Sequence, residues 1–318
     1  MAEINQLSPG LWHISLPFQG EQGVVGAYVL TGQNAVGQTD LVLIDPGPET
    51  TAQALLTALR EGGWDSAQVT HILITHIHLD HSGGVGTLLH SMPRANVFVH
   101  ALGAPHLSDP ARLIQSAARI YGERMQTLWG KIEPIHADHI QVINDGTRLP
   151  IAGRELQVYH TPGHASHHVI FYDHDTRELF AGDVAGVRLE GIDYVRPPTP
   201  PPDVDLEGWS RSIDLIASLQ PAVLYLAHFG AEKETTHLLE ELRLRLFEWG
   251  ELVLQGLRDH KDEATIIADL IGHVEPELQQ RAGGDPDVSI RYDLTANYKM
   301  TVQGYIRYWQ KQHPERLV

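Results

Sequence analysis

The sequence predicts an α/β fold with a small helical C-terminal domain, and three observations predict it. Short apolar runs rich in Val, Ile and Leu alternate with helix-periodic segments, and most of these runs deliver a His or an Asp at their C-terminal end. From about residue 231 the pattern turns to helix alone. In the first part, residues 1–230, LWHISL, GAYVLTG and DLVLIDPG read as successive strands, the last stopped by Pro46 and Gly47. TTAQALLTALREGG reads as a helix with Leu55, Ala58 and Leu59 on one face, VTHILIT as the next strand, and SGGVGTLLHSM as a helix opening. RELQVYHTPGH, the hairpin HVIFYDHDTRELFAGD, the helix DLEGWSRSIDLIASL and the strand AVLYLAHFG follow. In the second part, residues 231–318, HLLEELRLRLFEWGELVLQGLRDH, TIIADLIGHV and LTANYKMTVQGYIRYWQKQ read as three helices.

Composition narrows the chemistry. The 318 residues are 42% hydrophobic, enough for a sizeable core. No run approaches the roughly 18 apolar residues of a membrane span, and MAEINQLSPG has neither the basic flank nor the apolar stretch of a secretory signal. A cytoplasmic protein without membrane partners is the expectation. With no cysteine, neither disulfides nor thiolate ligands exist, so a metal would have to rest on imidazole and carboxylate. The net charge of −17 disfavours nucleic acid as a partner. The helical segment repeats that bias, with 11 Lys and Arg against 16 Asp and Glu.

The densest chemical signal is THIHLDHSGG, which sets His76, His78, Asp80 and His81 within six residues of a chain holding 20 histidines. In extended backbone, residues i and i+2 point the same way, so His76 and His78 converge on one point just past the strand. Asp80 and His81, on the turn into a helix, face a second point, which suggests two ions about 3.5–4 Å apart. TPGH supplies His164, AGD supplies Asp183 and AHFG supplies His228. The assignment that follows is His76, His78 and His164 to one metal, Asp80, His81 and His228 to the other, with Asp183 bridging. Single histidines such as His164 and His228 are common in loops, and they gain weight only from this company. A polar loop with this many ligands beside a buried strand pays desolvation unless something is bound.

These motifs, THIHLDH at 75–81, TPGH at 161–164, AGD at 181–183 and AHFG at 227–230, stand in the order found in the metallo-β-lactamase superfamily, and the chain resembles its glyoxalase II-like hydrolase branch. The resemblance implies an αββα sandwich with the metals at one edge between the sheets, and Asp45 in LVLIDPG as a group that orients a ligand histidine. The helical end resembles the winged-helix-like appendix of some relatives. The flavodiiron branch, with Glu in place of the cluster's second His, does not fit. His71, His160 and His167 read as strand or loop side chains, and His168 as a weaker candidate for orienting a ligand.

No G-x-S-x-G elbow or phosphate loop is present, so the nucleophile expected is a metal-bridging hydroxide rather than a side chain. Asp80 would orient it and pass a proton to the leaving group. Tyr194, in the proline-stiffened stretch GIDYVRPPTPPP, is a candidate oxyanion donor, and Arg196 a candidate anchor for an acidic substrate tail. Residues 104–130 read as one or two helices beyond the needs of a sandwich, placed either to shape the pocket or to cover a sheet edge. The function expected is binuclear metal-dependent hydrolysis of a small-molecule ester-like bond: a thioester, a lactone or a related ester. Zinc is the expected metal, with manganese or iron able to substitute. A phosphodiesterase or nuclease, a mono-iron persulfide dioxygenase and a non-catalytic metal-binding protein are the alternatives. The apolar faces of the C-terminal helices require cover, either by the sandwich or by a second copy of the chain in a homodimer.

Overall fold

The computed structural model describes residues 2–317. Two sheets lie face to face with helices on both outer surfaces. The first has seven strands in sequential order: β1 (Glu3–Ser8), β2 (Leu11–Phe18), β3 (Glu21–Gln33), β4 (Thr39–Ile44), β5 (His71–Leu73), β6 (Asn96–His100) and β7 (Ile140–Ile143). β1 to β4 pair antiparallel, and β4 to β7 pair parallel. The second sheet holds β8 (Arg148–Ile151), β9 (Arg154–His160), β10 (Val169–Asp173), β11 (Glu178–Gly182), β12 (Val223–Leu226) and β13 (Gly230–Glu232) in reverse order. Only its β11–β12 pair is parallel.

Alternation along the strands sorts the side chains into two cores. Tyr28, Leu30, Val42, Ile44 and Leu73 of the first sheet meet Leu156, Val158, Val169, Phe171 and Phe180 of the second, forming the layer between the sheets. Their strand neighbours Ala27, Val29, Leu41 and Leu43 point the other way, into the core beneath the helices. There they meet Leu55, Ala58 and Leu59 of α1 (Ala52–Glu61). Two short helices, α2 (Leu79–Ser82) and α3 (Val85–Leu89), follow β5; α4 (Ala104–Ser108), α5 (Ala111–Tyr121) and α6 (Met125–Trp129) lie between β6 and β7. The segment at 104–130 is therefore three helices, not one or two. α7 (Leu206–Leu219) covers the second sheet with Trp209, Ile213 and Ile216, its first turn capped by Asp205 accepting from the Gly208 amide.

Beyond β13 the described residues form no strand. α8 (Thr235–Arg258), α9 (Glu263–Arg281), α10 (Val288–Asp293) and α11 (Tyr298–Gln312) complete the chain. α9 outruns the short helix expected around TIIADLIGHV because the Asp262 cap starts it early and it continues through Pro276. Leu242, Leu246, Trp249 and Val253 of α8 are buried with Val302, Tyr305 and Trp309 of α11, while Ile306 is only partly covered. Polar contacts fix the pairing: the Tyr305 hydroxyl donates to Leu246 O at 2.8 Å and the Trp309 indole to Gly250 O at 2.8 Å. α11 also reaches the sandwich, where a Cβ at Gly304 would lie 1.8 Å from Thr199 O, so only glycine permits that approach. No helix among the described residues is long and apolar enough to cross a membrane.

Candidate metal centre

The seven expected ligands come from four places along the chain: the segment from the end of β5 into α2, the turn after β9, the end of β11, and the β12–β13 connection. β9, β11 and β12 run the same way, so these C-terminal ends share one edge of the second sheet, against the end of β5. His76 Nε2, His78 Nδ1 and His164 Nε2 lie 2.9–3.2 Å apart. Asp80, His81 and His228 form a second group, with Asp80 Oδ2 3.5 Å from His228 Nε2 and Oδ1 3.8 Å from His81 Nε2. Asp183 stands between them. Its Oδ2 faces His164 Nε2 at 3.4 Å and His76 Nε2 at 4.0 Å, while its Oδ1 faces His81 Nε2 at 3.3 Å and His228 Nε2 at 3.5 Å.

The far side of each ring decides which nitrogen is bare. His164 Nδ1 donates to Pro198 O and His228 Nδ1 to Val24 O, both at 2.8 Å. His81 Nδ1 donates to Asp45 Oδ2 at 3.0 Å. The Thr75 hydroxyl gives its proton to the same Asp45 oxygen at 2.6 Å, so at 3.1 Å it accepts from His76 Nδ1. Four Nε2 lone pairs are thereby aimed at the centre, the arrangement a cation requires. His81 Nε2, His228 Nε2 and Asp183 Oδ1 are fully buried and have no hydrogen-bond partner, which a metal ion would remedy.

Electrostatics divides the two groups. Burial and the neighbouring imidazoles hold His76 well below the usual histidine range, and burial together with His164 brings His78 down to about 4. Burial opposes a charged ring at His81 and His228 as well, yet the facing carboxylates, Asp183 first, raise both. Asp80 is brought down to about 2: burial opposes its charge, and His81 and His228 outweigh that. Positive charge is what this side of the site lacks.

Asp45 also accepts the Thr75 amide at 2.9 Å. His168 braces Asp183, its Nε2 accepting the Asp183 amide at 3.2 Å and its Nδ1 meeting Thr161 Oγ1 at 2.9 Å. Gly182, at φ 51°, lets the chain pass, since a Cβ there would lie 2.6 Å from Thr75 Oγ1 and 2.7 Å from His168 Nε2.

Two expectations fail. Tyr194 does not overhang the site: its ring lies under the Arg245 guanidinium, 4.0 Å from the centroid, and its buried hydroxyl has no partner. Arg196 is fully buried, donating to Asp293, Ala296 O and the Tyr298 hydroxyl between the rings of Tyr292 and Tyr298. The stretch carrying both runs into the seam with α8–α11 before its prolines return to the pocket, so these side chains join the two parts of the chain rather than meet a substrate. The tyrosine that lines the pocket together with Asp80 is Tyr121, at the end of α5, whose phenol pKa is pushed up by burial and the Asp80 charge. Nothing in the sequence around Tyr121 signals this. His167, set aside as a loop residue, also lines the pocket; its place three residues after His164 was the available clue.

The Metallo-beta-lactamase superfamily model matches residues 22–228. The chain belongs to the metallo-beta-lactamase superfamily. Within it, the chain is 27% identical over 215 residues to a metallo-beta-lactamase fold-containing protein of Sulfurisphaera tokodaii, covering 61% of this chain and 80% of that one. It is 32% identical over 142 residues to the hydroxyacylglutathione hydrolase of Aeromonas hydrophila, covering 45% of this chain and 41% of the relative. It is 28% identical over 230 residues to the thioesterase pkgB of Emericella nidulans, covering 71% and 54%. The match thus spans two fifths of the second relative and about half of the third. A superfamily structure from Thermus thermophilus superposes with a TM-score of 0.70 at 24% identity, covering 96% of this chain and 95% of that one, helical end included. The superfamily binds divalent metals, and its hydrolase members are metal-dependent.

Proposed function

We propose that the chain is a binuclear metal-dependent hydrolase of small-molecule ester-like bonds, with thioesters foremost. The observation that carries the reading is Asp183, one oxygen turned to His76 and His164 and the other to His81 and His228. His76, His78 and His164 would hold one ion, Asp80, His81 and His228 the other, with zinc the first choice for this N/O set. Bound there, the pair supplies Lewis-acid polarisation of a carbonyl and lowers the pKa of water toward about 7. Asp80 has the most open side chain of the two carboxylates, 16% exposed against 5% for Asp183, and it lines the pocket. It is placed to orient the attacking water and to carry a proton to the leaving group. Tyr121, which lines the same pocket as Asp80, takes the donor role expected of Tyr194. The names of the hydroxyacylglutathione hydrolase and thioesterase relatives support thioesters within the ester class. A small-molecule substrate and no nucleic-acid partner complete the reading. The test is reconstitution with zinc, manganese or iron, elemental analysis, and a panel of thioester, lactone and phosphodiester substrates with oxygen uptake measured on a persulfide. Two ions per chain and thioester turnover are expected. One ion with oxygen uptake, or phosphodiester turnover alone, would refute it.

A further inference from the structure

The cavity over the candidate metal centre has two lobes, one more apolar than the other. One, of about 450 Å³, runs between α5 and the 198–203 turn and is walled by Ile77, Leu79, Leu113, Ala117 and Ile120, with the exposed Arg112 also on its lining. The other, of about 320 Å³, opens toward the C-terminal helices and carries Arg124, Asn297, Lys299 and Gln303 on its lining beside Trp129 and Leu294. Asp80, Ile120, Tyr121, Thr295 and Met300 belong to both, so the lobes meet at the proposed reacting centre. Arg124 and Lys299 are exposed, and neither has a carboxylate partner among the described residues. Asp293, the acidic group beside them, is taken by the buried Arg196 guanidinium at 3.1 Å. On a chain of net charge −17, two cations without carboxylate partners on one lobe are a local positive field that favours an anion there.

We propose that a thioester lies across both lobes: a hydrocarbon acyl chain in the first, the scissile carbonyl at Asp80 and Tyr121, and a thiol carrier bearing phosphate on Arg124 and Lys299. This rests on the hydrolase reading above. Water adds to the carbonyl carbon, the C–S bond breaks, its electron pair leaves on sulfur, and the sulfur takes the proton, giving a carboxylic acid and a thiol. Phosphate suits an Arg and a Lys lining one lobe because it offers more charge and more acceptors than a carboxylate. A glutathione carrier, with two carboxylates offset by one ammonium, brings less net negative charge to the two cations than a carrier bearing phosphates. The pair suits one small anionic group, and the apolar lobe suits an alkyl rather than a hydroxylated acyl group.

The experiment compares acyl thioesters of two to ten carbons on coenzyme A, on neutral N-acetylcysteamine and on glutathione, using the metal-reconstituted full chain. In parallel, calorimetry measures binding of S-alkyl coenzyme A thioethers, which cannot be hydrolysed. The expected result is a kcat/KM that rises about fourfold per methylene until the lobe fills, and a preference for coenzyme A over the neutral carrier of about tenfold or more, expressed in KM and lost in high salt. R124E and K299E should bring the ratio between those carriers toward one and weaken thioether binding in parallel. Rates indifferent to chain length, equal or better turnover of neutral or glutathione thioesters, or a carrier ratio unmoved by both charge reversals would overturn the proposal, as would thioethers that do not bind. Thioethers that bind with the expected chain and charge dependence, while no thioester is hydrolysed, would uphold the two-lobe assignment and sink the hydrolase reading instead.

Discussion

In the ligand cluster, His76, His81, His164 and His228 each turn a far nitrogen to an acceptor in the sandwich, and all four are at most 1% exposed. The wall across the pocket is different: of the eleven residues of α5 only Ala117 is buried, and Leu102 near its base is 53% exposed. The cluster is locked by hydrogen bonds within a packed edge, whereas the wall leans on partial apolar cover. Reaction geometry is thus entrusted to the buried, hydrogen-bonded part, and substrate choice to a part with little burial to restrain it. Substitutions in the cluster should therefore act on metal and kcat, those in the wall on KM.

Asp183→Asn tests the strong side of this contrast and should have the largest effect. An amide presents one oxygen where the carboxylate presents two, so stoichiometry should fall below two ions per chain and turnover by on the order of 10³-fold, about 4 kcal/mol of barrier. Elemental analysis and steady-state kinetics check it, and full activity with one ion would remove the bridging role. Asp80→Asn should come next, cutting kcat by about 10²–10³-fold with the melting temperature near that of the parent. Near-normal turnover at full metal occupancy would exclude Asp80 from proton transfer. Asp45→Asn, which disturbs the acceptor shared by His81 and Thr75, should weaken metal affinity by roughly 10–100-fold, measured by chelator competition. On the wall, Leu113→Ala or Ile120→Ala should raise KM for apolar substrates by up to about tenfold, leaving kcat and metal content close to normal. Loss of metal in either variant would show that wall and cluster are one unit.

What the sequence made legible follows the same division. THIHLDH, TPGH, AGD and AHFG were readable because each motif opens at or just past the end of a strand, and strand ends are visible as apolar runs stopped by turn residues. The edge strands β1, β7 and β8, EINQLS, IQVI and RLPI, were not readable, since their half-exposed residues carry little apolar signal. The wall was legible only as surplus helix: which face of α5 meets Asp80 depends on how α4–α6 fold back over the sandwich, a tertiary fact without local signature. Tyr194 and Arg196 were misplaced for the same reason. Closeness in sequence to Asp183 suggested closeness to the site, while packing of Tyr292 and Tyr298 around Arg196 drew that stretch into the seam with the C-terminal helices.

Tyr194→Phe should give the smallest effect and separates the two regions most cleanly. The Tyr194 hydroxyl is buried without a hydrogen-bond partner, and its ring lies against Arg245. An unsatisfied buried hydroxyl costs free energy, so its removal should leave stability unchanged or raise it by about 1 kcal/mol, with the ring still filling the seam. kcat should stay within about twofold of the parent, because the phenol touches neither the ligand cluster nor the pocket. Were Tyr194 the oxyanion donor that its place after Asp183 suggests, the same change would cost about 10²–10³ in kcat. Thermal melts and kcat on a single thioester distinguish these outcomes. Tyr121→Phe is the matched control, expected to lower kcat with little effect on the melt, so a loss at Tyr194 with none at Tyr121 would reverse the placement of the two tyrosines.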